Sequence, residues 1–266
     1  MNRREFVLGA AAVAGVSKIA SASADAKKSR DKVVIVSAHP DDLVACMGFC
    51  YLVKERYEVH VVDVTHGERG LGKAGLLDGS TRAIRTKEEE SVCAAIGAEL
   101  HWLEEIDGEA YACRETCEKL AEIIKSLAPR AVLAHWPVDI HTDHVMAGAA
   151  AIRATFLAGL RPEFYFFEEP YQSKRFEPDI YLDVTPVADR IWETIRLYKC
   201  QYRDGGIERN QKISAEFLGK HSGRFVDGMV EGYKSFLPPM QGESTIFSEL
   251  PHPAPDKARI RFQGAR

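Results

Sequence analysis

Long apolar runs are scarce in this chain of 266 residues. Its body holds no stretch able to cross a bilayer, so no transmembrane segment is expected in the mature chain. Basic stripes interleaved with aromatics are missing and the formal net charge is -4, which argues against nucleic acid as a partner. No internal repeat and no low-complexity tract is present. A G-x-G-x-x-G turn is absent after the first apolar strand, where Ser37-Ala38-His39-Pro40 stands instead. That removes the dinucleotide-binding version of a Rossmann-like fold. The cysteines (Cys46, Cys50, Cys93, Cys113, Cys117 and Cys200) lack zinc-knuckle spacing. Cys46/Cys50 and Cys113/Cys117 share helix faces by their spacing and read as small buried hydrophobes, not as a disulfide framework.

A composition of 45% hydrophobic and 28% charged residues suits one globular domain with a sizeable core. The N-terminus reads as an address. Asn2-Arg3-Arg4-Glu5-Phe6 is a twin-arginine pattern, an apolar stretch runs to Val16, and Ala22-Ser23-Ala24 is an A-x-A cleavage site. Residues 1–24 are therefore expected to be a twin-arginine signal peptide, with a short amphipathic helix as the other reading. Residues 25–31 form a charged linker, and 32–266 form a single domain with an irregular C-terminal extension. Export places the protein in the periplasm or outside the cell.

Two stretches stand out. Ala38-His39-Pro40-Asp41-Asp42 follows the apolar run Val33–Val36, and His141-Thr142-Asp143-His144 comes soon after Ala131–Ala134. Each run reads as a buried parallel strand, predicting an α/β fold with a mostly parallel sheet flanked by helices. The clusters would then meet at the carboxyl edge of the strands, where such sheets hold ligands. Pro40 suits the first position of a helix, and both aspartates would fall in its first turn. On local grounds alone, Asp41 or Asp42 could simply cap that helix and His39 could be a turn residue.

The two stretches together resemble the PIG-L/LmbE-like zinc-dependent N-acetylglucosamine de-N-acetylases, which carry A-H-P-D-D and a later H-x-D-H. The likeness runs from about Asp31 to Tyr202. It implies a zinc ion held by His39, Asp42 and His144, with Asp41 as general base beside it. Iron or cobalt would suit the same donors. His141 would stabilise an oxyanion when protonated, and Asp143 would orient an imidazole, cap the helix, or both. Leu43 stands where the family usually has Glu, so support for the ligands must come from elsewhere.

Weaker likenesses extend this picture. Thr65-His66-Gly67-Glu68-Arg69-Gly70 resembles a family loop in which Glu68 and Arg69 could reach sugar hydroxyls, or it is a polar turn. Asp107 could hold a sugar hydroxyl or sit in a plain turn. Arg85 and Glu88 read as an ion pair or a loop anchor, His60 as a partly exposed strand residue and His66 as solvated. Residues 71–80 read as a rim or lid, and the chain after Asp204 as a tail carrying one helix near Asn210–Gly219. The expected reaction is removal of an N-acetyl group from an N-acetylglucosamine-type sugar, releasing acetate. A zinc amidase acting on another acylated amino-sugar or thiol conjugate, or an inactive carbohydrate-binding homologue, are the alternatives. A homo-oligomer is left open.

Overall fold

The computed structural model describes residues 30–250 apart from 78, 224, 226 and 238–243, and excepting the side chains of 75 and 76. The expected signal peptide and residues 25–29 of the linker lie outside the described residues.

The strands are β1 (Lys32–Ser37), β2 (Glu58–Thr65), β3 (Ala98–Glu105), β4 (Ala131–His135), β5 (Glu163–Phe167), β6 (Ile180–Asp183) and β7 (Val230–Leu237). The helices are α1 (Met47–Val53), α2 (Gly72–Leu77), α3 (Ser80–Ile96), α4 (Arg114–Leu127), α5 (Thr142–Leu157), α6 (Ala188–Ile195), α7 (Lys199–Tyr202) and α8 (Gly206–His221). Among the described residues, seven strands form one sheet in the order β3-β2-β1-β4-β5-β7-β6. The first five are parallel, and β7 runs antiparallel between β5 and β6.

Burial on both faces explains the continuous apolar runs. Alternate residues of one strand point to opposite sides. Val33, Ile35, Val59, Val61 and Leu133 pack with α1, α3 and α6 on one face. Val34, Val36, Val62, Val132 and Ala134 pack with α4 and α5 on the other. The alanine-rich face of α5 brings helix and sheet close together. A side chain at Gly148 would collide with the His135 carbonyl, so glycine there seats α5 against the end of β4.

Several local expectations are corrected. Pro40 does not open the helix: a 3-10 turn begins at Asp42, and Asp41 sits at its N-cap position without a side-chain cap bond. Gly79 stands at the N-cap of α3, so the expected rim or lid of 71–80 runs into the helix start. Residues 71–80 include the short helix α2. Between Thr185 and Tyr202 the chain forms a 3-10 turn, α6 and α7 in place of one continuous helix. The C-terminal tail supplies β7, whose Glu231 and Lys234 disguise a strand that completes the sheet.

Glu231 shows what that strand does. Its carboxylate accepts the N–H groups of Gly48 (2.6 Å) and Phe49 (2.8 Å) in the first turn of α1, and the Tyr233 hydroxyl (2.7 Å). A helix N-terminus offers unpaired donors and favours negative charge. Gly48 permits the approach, since an added Cβ would lie 2.8 Å from Glu231 Oε1.

Candidate active and metal-binding site

Sheet order decides where the chemistry lies. β1 is flanked by β2 on one side and β4 on the other, so successive connections diverge there. Such a switch point opens a crevice at the carboxyl ends of the strands. His39, Asp41 and Asp42 leave β1, while Asp139, His141, Asp143 and His144 follow β4. The two distant motifs meet across this crevice.

Asp42 is the hub. Its Oδ2 lies 3.3 Å from His39 Nδ1, and its Oδ1 lies 3.5 Å from His144 Nε2. Each imidazole turns its other nitrogen toward carboxylate. His39 Nε2 is 3.1 Å from Asp143 and 3.4 Å from Asp107, and His144 Nδ1 is 3.3 Å from Asp139. Carboxylates behind ligating imidazoles fix their tautomer and raise their basicity. The His39 and His144 contacts fall on different Asp42 oxygens, and these three residues do not offer one donor atom each within 4.8 Å of one another. His39, His141 and His144 offer nitrogen atoms within 4.8 Å of one another, as do the donor atoms of Asp42, His135 and His144.

The electrostatics agree with that geometry. Burial disfavours the Asp42 charge, but His144, His39 and His135 overcome it and hold the carboxyl well below its ordinary range. Burial works against charge on His144 as well, yet Asp42 and Asp139 raise it to about 9. His39 is likewise raised, with Asp42, Asp107 and Asp143 outweighing burial. The carboxylates therefore draw positive charge into the cluster, as protons on His39 and His144 or as one divalent cation.

Asp41 differs from its neighbours. Its φ of 98° places it in a left-handed region that few non-glycine residues occupy. Such a conformation costs about 1–3 kcal/mol and persists only where surroundings impose it. Here Arg85 donates to both Asp41 Oδ1 and the Pro40 carbonyl, and Glu89 accepts the Asp41 N–H at 3.2 Å. The Asp41 side chain keeps 21% of its surface exposed, against 9% for Asp42 and 1% for Asp143 and Asp139, so it is the carboxylate open to a reactant. Burial lifts its carboxyl to about 6 despite Arg85.

His141, not Asp143, caps α5: its Nδ1 accepts the Asp143 N–H at 3.3 Å. In the neutral ring the proton must then sit on Nε2, making that atom a donor. Burial and the charges of His39 and His144 lower its affinity for a second proton. Its ring stands 4.6 Å from that of His39 and 4.7 Å from that of His144. Asp143 instead accepts from Gly108 N at 2.6 Å while facing His39.

The expected sugar-binding residues also make contacts within the protein. Asp107 accepts the Arg69 N–H (2.8 Å) and faces His39. Glu68 receives Arg82 (3.2 Å) and the Asp107 N–H (3.2 Å). Arg69 pairs with Glu109. These residues brace the rim of the crevice.

Other expectations change with the contacts. Of the two readings of Arg85 and Glu88, the loop anchor holds and the ion pair does not: Arg85 ties the Pro40–Asp41 loop, and the Glu88 carboxylate accepts the Cys200 N–H. His66 is buried, stacked on Trp102 at 3.7 Å and bonded to Thr86 at 2.7 Å. His60 is buried too, and Cys113 is exposed.

Sequence reasoning left out His135, Asp139 and Glu89. His135 ends β4, stacks on His144 at 4.4 Å and lies 3.1 Å from Asp42. Its place at a strand's carboxyl end beside the switch point is the signal that could have found it. Asp139 also bonds the His141 N–H (2.8 Å) and Ser173 (2.8 Å), joining β4's loop to the segment after β5.

Residues 34–155 match the PIG-L family, described as GlcNAc-PI de-N-acetylase. A 4-oxalmesaconate hydratase of Pseudomonas putida KT2440 is 28% identical over 184 residues, covering 61% of this chain and 71% of that protein. The 4-carboxy-2-hydroxymuconate hydratase GalB of the same organism shares the fold with a TM-score of 0.70 at 25% identity, covering 81% of this chain and all (100%) of the other. The N,N'-diacetylchitobiose deacetylase of Pyrococcus horikoshii gives 0.67 at 25%, covering 78% and 84%. The protein is thus similar to both deacetylases and hydratases of this fold.

Proposed function

We propose that this protein is a zinc-dependent hydrolase that removes an N-acetyl group from an N-acetylglucosamine-type sugar or glycoconjugate. The observation that carries this reading is the open carboxylate of Asp41 beside two imidazoles that share Asp42 and are each backed by carboxylate. His39, Asp42 and His144 would hold the ion. Bound there, it supplies a Lewis acid that polarises an amide carbonyl and acidifies water.

The chain's own groups divide the remaining work. Asp41 accepts the proton of the attacking water as the new C–O bond forms, and returns it to the nitrogen as the C–N bond breaks. Acetate and a free amine result. Arg85 keeps Asp41 in its left-handed position throughout. His141 Nε2–H is a neutral donor available to the oxygen on which charge develops. Asp139 and Asp143 keep His144 and His39 aimed at Asp42.

The similarity to hydratases supports a second reading, addition of water to a carboxylated enol. The charges at the crevice favour the sugar. Recognition of a polycarboxylate calls for a free bidentate cation. Among the arginines reaching these loops, Arg85 is held by Asp41 in the interior, while Arg82 pairs with Glu68 and Glu104 and Arg69 with Glu109 at exposed positions. A neutral N-acylated sugar needs no such clamp. Export by the twin-arginine route, which carries folded proteins, belongs to the same proposal and points to an envelope or extracellular substrate.

Acetate release from a panel of N-acetylated sugars, with and without chelator, tests the reaction. Release that chelator abolishes and zinc restores is the expected result. No release from any acylated amino-sugar, together with water addition to a 4-carboxy-2-hydroxymuconate, would overturn it. Asp139→Ala should weaken zinc retention about 10–100-fold by freeing the outer nitrogen of His144. Unchanged zinc affinity in a competition titration would count against that ligand assignment.

A further inference from the structure

A second constellation of metal-ligating side chains lies at the other end of the sheet. In the parallel β2–β3 pairing, His60 stands opposite Glu99, and His101 follows two residues later. Residues two apart on a strand share a face, so all three project to one side. His60 Nδ1 is 3.1 Å from His101 Nε2, and Glu99 comes within 3.7 Å of each nitrogen. The three donor atoms lie within 4.8 Å of one another. We propose that His60, Glu99 and His101 bind a divalent transition-metal ion that clips the edge strand β3 to β2, independently of the crevice.

Donor type and surroundings support this. Two imidazoles and a carboxylate form a borderline nitrogen–oxygen set suited to zinc, nickel or copper(II), not to calcium or magnesium. The side chains grade from 5% exposed at His60, through 23% at His101, to 68% at Glu99, so one side is walled by protein while water can complete the coordination. The Nδ1 of His60, the nitrogen turned toward Glu99 and His101, is the one that would face the ion, with the ring proton on Nε2. Burial, helped by His101 and Lys32 against Glu99 and Glu58, also keeps His60 from taking a second proton. β3 ends the sheet, and an edge strand gains most from an added tie.

Zinc alone is the probe, titrated calorimetrically into the full chain and three variants. The doubly substituted His101→Ala/Glu99→Gln chain should bind one equivalent less than the unmodified protein. Asp42→Ala/His144→Ala should retain one equivalent, and its melting temperature should rise when zinc is added. Combining all four substitutions should remove both the binding and the rise. Equal stoichiometry for the unmodified chain and His101→Ala/Glu99→Gln would overturn the proposal. So would a zinc-induced rise that survives all four substitutions. The first comparison needs no change at the crevice, so it stands even if the Asp42 and His144 variant fails to fold. Failure here leaves the deacetylase reading untouched.

Discussion

Asp41→Asn should lower kcat by about 10²–10⁴-fold, the usual contribution of a positioned general base, while zinc content stays at its original level. Asparagine is the informative choice. It can still accept Arg85's hydrogen bond, and it tolerates the left-handed backbone that Asp41 adopts at φ 98°. Alanine would add loop strain to the loss of the base. Asp42→Ala should behave differently, because His39 and His144 both converge on that carboxylate, and both zinc and turnover should disappear. Metal analysis beside steady-state kinetics separates the two. A kcat unchanged in Asp41→Asn would remove Asp41 from proton transfer and leave the proposed hydrolysis without its base.

Glu231→Ala is expected to destabilise the fold by about 2–4 kcal/mol, read from the denaturation midpoint at constant m-value. The substitution removes the acceptor of two buried amides of α1, Gly48 and Phe49, and of the buried Tyr233 hydroxyl. Its pH signature is distinctive. Burial lifts the Glu231 carboxyl to about 7 in the folded chain, against the pull of those three donors, whereas an unfolded glutamate titrates near about 4.3. Folding thus favours the protonated form, so this group's contribution is fully present below the unfolded value and is lost as pH rises through about 7. The unmodified protein should shed part of its stability over that interval, and Glu231→Ala should flatten that segment of the profile. A variant as stable as the parent would mean that β7 is not held to α1 through this carboxylate.

The sequence by itself determined the central strands and the two ends of the site. Val33–Val36 and Ala131–Ala134 are apolar throughout because both faces of the sheet are covered, and that signature survives without any knowledge of neighbours. His39, Asp42 and His144 were legible because their residue types and positions behind strands carry chemistry locally. Only tertiary structure decided what surrounds them. Asp139 backs His144, His135 stacks on it, and Arg85 pins Asp41 across a gap in sequence that no local pattern bridges. The same holds for the contacts that Glu68, Arg69 and Asp107 make with neighbouring loops. It holds most clearly for β7, where Glu231 and Lys234 look unlike a buried strand. Pairing with β5 and β6 satisfies its backbone, and a helix end supplies the partners that make a half-buried carboxylate tolerable. Propensity and motif act within a few residues, whereas a hydrogen bond's partner is set by how the sheet is ordered.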